Sequence, residues 1–106
     1  MAEVDERIQE TIEENDVVVF MKGTPEQPMC GFSDTAVQVL QSYGVEIVGK
    51  DVLQDSELRQ GIKEFSDWPT VPQIYIDGEF VGGSDVLREM HQKGELKEKL
   101  EPVLSR

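Results

Sequence analysis

Five consecutive residues, Val17-Val18-Val19-Phe20-Met21, are apolar without interruption. A strand points successive side chains to opposite faces, so this run predicts a central strand covered on both sides. The chain then reads Lys22-Gly-Thr-Pro-Glu-Gln-Pro-Met-Cys-Gly-Phe-Ser33, and a helical pattern of Phe32, Ala36, Val39, Leu40 and Tyr43 follows. Cys30, the one cysteine of the chain, therefore stands where a strand and its loop give way to a helix. Free N–H groups and the dipole at a helix start favour an anion. A thiolate is such an anion, and Lys22 ends the preceding strand. Both features are expected to lower the thiol pKa below the ordinary value of about 8.5. A lone cysteine elsewhere packs as a small inert hydrophobe. Here Gly31 allows a close turn, and Pro25 and Pro28 stiffen the loop. The position of a second cysteine in a C-x-x-C pair is occupied by Ser33, so a thiol from outside must complete any redox cycle.

The remaining elements follow from periodicity. Val4, Ile8 and Ile12 give one apolar stripe and predict a helix over residues 4–15. The Cys30 helix is expected to stop at Gly44, and Val45 to Val48 reads as a second strand. Strand, helix and strand make a right-handed βαβ unit. Asp55 or Ser56 caps a helix whose buried stripe is Leu58, Ile62 and Phe65. Gln73–Ile76 and Glu79–Val81 flank Asp77-Gly78, a strong hairpin signal. Ser84 is expected to cap a helix carrying Val86, Leu87 and Met90; Leu96, Leu100 and Val103 mark a last one. The order α-βαβ-α-ββ-αα predicts a four-stranded mixed sheet flanked by helices, an α/β arrangement of the thioredoxin-like kind, in a single domain over residues 1–106.

The chain has 106 residues, with 22 acids against 10 bases and a net charge of −12. That balance argues against nucleic-acid binding, which needs a basic footprint. No apolar run approaches the roughly 20 residues that cross a bilayer, so no membrane association is expected. The acidic first residues resemble neither a secretory signal nor a transit peptide. One cysteine excludes an internal disulfide framework and suits a reducing compartment, the cytoplasm. The acidic surface reads first as a device for solubility, with adaptation to high salt as the alternative.

Other motifs have a plain and a functional reading. Arg59 and Lys63 lie four apart on one helix face, as an exposed basic face or as anion ligands. Trp68-Pro69-Thr70-Val71-Pro72 holds two prolines too close for a helix interior. Trp68 reads as packing that supports this loop. His91, the lone histidine, reads as an exposed helix residue with no triad around it and Cys30.

The Lys-Gly-Thr-Pro approach and the Cys-Gly-Phe-Ser tetrad of residues 30–33 closely resemble the monothiol glutaredoxins, and the likeness extends over nearly the whole chain. The resemblance implies the thioredoxin-like fold and a cis Val71–Pro72 bond. It implies a glutathione site in which Lys22 and Arg59 pair with the glycine carboxylate, Lys63 being a weaker candidate. Val71 would offer its backbone beside Phe32 and Pro72, and Gly83, Ser84 and Asp85 would hold the γ-glutamyl end. Arg suits a carboxylate because its donors form a planar fork. Many members carry a cysteine where this chain has Ser84, which removes a second disulfide but not the backbone contacts. The physiological thiol is expected to be glutathione or a related low-mass thiol.

The resemblance further implies a [2Fe-2S] cluster bound through Cys30 and glutathione and passed to iron–sulfur acceptor proteins. It also implies a BolA-type protein as partner. A [2Fe-2S] cluster takes four ligands and each chain has one cysteine, so a cluster-bridged homodimer with two glutathiones is expected. The alternative is a glutathione-dependent disulfide oxidoreductase acting through Cys30, or at the plainest a partner-binding module with an unreactive cysteine.

Overall fold

The computed structural model describes residues 2–106. Its elements are α1 (Ala2–Glu14), β1 (Val17–Met21), α2 (Gly31–Gln41), β2 (Val48–Asp51), α3 (Ser56–Ser66), β3 (Gln73–Ile76), β4 (Glu79–Gly82), α4 (Ser84–Lys93) and α5 (Glu95–Leu104). The strands form one mixed sheet in the order β2-β1-β3-β4, with β1 parallel to β2 and antiparallel to β3, and β3 antiparallel to β4.

β1 explains the two-layered core. Val17, Val19 and Met21 face Ala36, Val37, Leu40, Leu87, Leu96 and Leu100, so α2, α4 and α5 cover that side. Val18 and Phe20 face Val4, Ile8, Ile12, Leu58 and Ile62, so α1 and α3 cover the other. All five β1 residues are buried, as the unbroken apolar run requires.

Three sequence expectations shift. β2 begins at Val48, not Val45, and pairs Val18 with Val48 through Met21 with Asp51. Val45 and Ile47 pack against the α2 and α4 side of the core without joining the ladder. β2 is an edge strand, so its own residues Val-Gly-Lys-Asp are mixed in polarity and carry little strand signal. α2 ends at Gln41, and Ser42 to Gly44 close it in a turn through Tyr43 N–H to Leu40 O (3.1 Å) and Gly44 N–H to Gln41 O (3.0 Å). Ser84 is the first residue of α4; the cap is Gly83, with no side-chain hydrogen bond. Asp55 caps α3, its carboxylate accepting from the Leu58 N–H at 3.0 Å. The hairpin turns at Asp77-Gly78, both at positive φ.

Candidate functional site

The functional end of the sheet lies where β1 runs out. After Met21 the chain makes a short, tightly tied loop: Met29 N–H donates to Lys22 O at 2.9 Å, and Thr24 and Gln27 exchange backbone hydrogen bonds. Gly23 makes the first turn at φ +91, where a Cβ would meet Gln27 O at 2.5 Å, so only glycine fits. The loop is pinned to β2 from the side. Asp51 Oδ1 accepts from the N–H groups of Gly23 (3.0 Å) and Leu53 (2.9 Å), and Pro25 occupies the space a Cβ on Gly49 would need.

Cys30 is the N-cap of α2, in an extended conformation, and is partly exposed. Its thiol pKa is held below the ordinary value. The Ser33 backbone N–H contributes most, burial opposes it, and the Phe32 N–H and the Lys22 charge add to the lowering in that order. The helix start thus outweighs the lysine, which sequence alone did not rank. Ser33 is fully buried, and its Oγ accepts the Lys22 N–H at 3.2 Å. The serine at the fourth motif position therefore joins the end of β1 to the first turn of α2.

A groove of about 430 Å³ opens beside this helix start. Lys22, Phe32, Arg59, Lys63, Val71, Pro72, Gly83, Ser84 and Asp85 line it together with Trp68, Pro69, Thr70 and Val86. The eight residues nominated around Cys30 thus come together from the loop after β1, α2, α3, the loop before β3 and the start of α4. Cys30 itself is not in the wall, but Lys22 and Phe32, which act on its sulfur, both are. The Val71–Pro72 bond is cis.

Charge is unevenly placed. Among the described residues, Arg7, Arg88, Lys93, Lys99 and Arg106 form ion pairs, whereas Lys22, Arg59 and Lys63 form none. In a chain with 22 acids, three unpaired cations share one groove. Asp85 is the one acid in the wall, exposed, with Arg88 at 3.4 Å. The groove can accept a small anion at one end and offer a helix start and a carboxylate at the other.

Trp68 does more than brace the loop. It is half-buried, lines the groove and meets Phe80 edge-on with ring centroids 5.5 Å apart. Its Nε1–H is buried without a hydrogen-bond partner among the described residues. Val86 also lines the wall; its place in the apolar pattern of α4 gave no sign of it. His91 is exposed, as expected, with Tyr43 Oη 2.6 Å from its Nδ1. Among the described residues no group of three or more His, Cys, Asp or Glu could hold a metal, and no helix is long and apolar enough to cross a membrane.

Residues 17–81 match the family model described as Glutaredoxin. A monothiol glutaredoxin of Synechocystis sp. is 53% identical over 103 residues, which cover 97% of this chain and 96% of that protein. The mitochondrial glutaredoxin-related protein 5 of Danio rerio is 54% identical over 97 residues, 91% of this chain but 63% of the longer relative. Among solved structures, the reduced apo form of a poplar glutaredoxin superposes with a TM-score of 0.86 at 44% identity, covering 97% of this chain and 94% of its own. A buckwheat glutaredoxin–glutathione complex superposes with a TM-score of 0.84 over 95% of this chain and 90% of its own, and at 23% identity it shares the fold. With a thioredoxin-like sheet, five helices and a single Cys-Gly-Phe-Ser cysteine at the start of α2, the chain belongs to the glutaredoxin family, among its monothiol members.

Proposed function

We propose that the protein carries a [2Fe-2S] cluster as cargo, held by Cys30 and glutathione, and hands it to acceptor proteins. The observation that supports this most is the groove itself. It brings three unpaired cations and an α-helix start to the side of a lone thiol whose pKa is held below its ordinary value. Glutathione fits those features end to end. Its glycine carboxylate meets Lys22 and Arg59, its cysteine main chain meets Val71 beside Phe32 and Pro72, and its γ-glutamyl group meets Gly83, Ser84 and Asp85. The thiol of glutathione then lies next to Cys30. A glutathione complex of the same fold, the buckwheat protein, is consistent with this use of the groove.

Ligand counting supports the cluster. A [2Fe-2S] cluster takes four ligands, usually thiolates. One chain supplies one sulfur, so two chains and two glutathiones are needed. Acceptor proteins, with a BolA-type protein among the partners, complete the reading, and the lone free cysteine suits the cytoplasm. Anaerobic addition of iron, sulfide and glutathione should give the visible absorption of a [2Fe-2S] centre. Cys30→Ser should give none, and a wild-type chain that stays colourless would refute the carrier reading.

The lowered Cys30 pKa favours one second reading, removal of glutathione from mixed disulfides. The Cys30 thiolate attacks the glutathione sulfur, forming the Cys30–glutathione disulfide and releasing the protein's sulfur as a thiolate. A second glutathione thiolate then attacks the Cys30–glutathione disulfide, giving glutathione disulfide and the free thiolate. Turnover of a glutathionylated peptide, compared with cluster transfer, separates the two.

A further inference from the structure

Gln73 is a polar residue with no access to solvent, at the first position of β3 and opposite Phe20 of β1. Its Nε2 donates to two carbonyls of the preceding loop, Trp68 O and Thr70 O, each at 3.1 Å. That loop contains Pro69 and Pro72, which have no N–H to give, so its carbonyls find few backbone donors nearby. One amide group, with two hydrogens, satisfies both. Its Oε1 is buried and unpartnered among the described residues, a cost that is hard to account for if the residue only fills space. Methionine or leucine would fill the same space without that cost.

The two carbonyls belong to residues of the groove wall. Trp68 to Pro72 all line it, and Thr70 is the residue before Val71. We infer that Gln73 is a positioning residue: its buried amide fixes the Trp68–Pro72 segment so that the Val71 main chain and the Trp68 ring face the ligand. This rests on the glutathione reading of the groove. Gln73 touches neither the groove nor Cys30; it acts through the loop.

The test separates positioning from stability. Gln73→Met keeps length and volume but has no donor; Gln73→Leu is the second variant. Glutathione affinity is read by calorimetry well below the melting point, and Cys30 alkylation by iodoacetamide is read beside it, since that small reagent needs no groove. Positioning predicts affinity weakened roughly tenfold, the worth of about one hydrogen bond's orientation, with an unchanged alkylation rate. A purely structural role predicts a lower melting temperature and unchanged affinity, and that result overturns the inference. Should neither variant fold, the wild-type Gln73 side-chain amide protons decide. Hydrogen-bonded in the core, they should exchange with solvent at least about a hundredfold more slowly than those of an exposed glutamine. Exchange as fast as an exposed glutamine overturns it. A wild-type chain that binds no glutathione overturns the groove reading itself, and the inference with it.

Discussion

At the scale of single residues, the site depends on which dipoles reach the Cys30 sulfur. The Ser33 and Phe32 N–H groups come with the helix, and the Lys22 charge is secondary. Alkylation of Cys30 against pH should therefore show a midpoint below about 8.5, and Lys22→Ala should keep most of the lowering. A midpoint that returns fully to the free-thiol value in Lys22→Ala would contradict this ranking. The sign for stability follows. A folded thiol pKa below the unfolded one stabilises the fold above the unfolded value, and the effect is lost as pH falls through the folded value. Tyr75 has the opposite sign. Burial raises its phenol to about 12. The stability it contributes is present below the unfolded value of about 10 and is lost as pH rises from there toward the folded value. Its hydroxyl has no hydrogen-bond partner among the described residues. Tyr75→Phe should thus leave stability at neutral pH within about 1 kcal/mol and flatten the alkaline decline in urea titrations; an unaltered decline would show that another group titrates there.

At the scale of elements, α3 serves two surfaces at once. Leu58, Gly61 and Ile62 face the core, while Arg59 and Lys63 reach the groove. Arg59→Ala should weaken glutathione by roughly 1.5–3 kcal/mol with the melting temperature unchanged, because Arg59 lies off the buried stripe. Equal affinity by calorimetry would make Arg59 part of a solvated face. Gly61 supplies a test of sign. Gly→Ala in an exposed helix gains about 1 kcal/mol, but here a Cβ would meet Val4 Cγ1 at 2.8 Å where α1 crosses α3. Gly61→Ala is expected to destabilise by about 1–2 kcal/mol in urea unfolding; a gain would mean that α1 yields readily. Much of this was legible in the sequence. The apolar run of β1, the 3.6-residue stripes of α1 and α3 and the Asp77-Gly78 turn each state one local rule, and the structure follows them. β2 was misplaced because an edge strand is specified by its partner's register, which no local pattern records. The tight fits at Gly49 and Gly61 depend on Pro25 and Val4, distant in the chain, so no local pattern signals them. Trp68 reads from the sequence as packing for its loop; that it also lines the groove depends on how the proline-rich segment folds. Arg59 and Lys63 showed their shared face, but their lack of acidic partners needed three dimensions.

At the scale of the whole molecule, charge sets the terms of assembly. Each chain carries −12, so two chains repel. The exposed Phe32 and Met29 beside Cys30 give only a small apolar surface to oppose that. In the proposed reading, a cluster shared between two Cys30 sulfurs and two glutathiones would be the main link, and the pair would be two-fold symmetric about it. Higher salt should screen the repulsion and slow dissociation of the holo dimer; faster dissociation at high salt would instead mark an attractive ionic interface. On that reading, loss of the cluster would free both chains and both thiols together and so would couple delivery to disassembly. Sedimentation velocity, run with iron, sulfide and glutathione analysis on the same sample, tests this most directly. The account predicts an apo monomer and a holo dimer with about two iron, two sulfide and two glutathione per dimer, all lost in Cys30→Ser. A holo form that sediments as a monomer, or that keeps its cluster after glutathione is dialysed away, would contradict it.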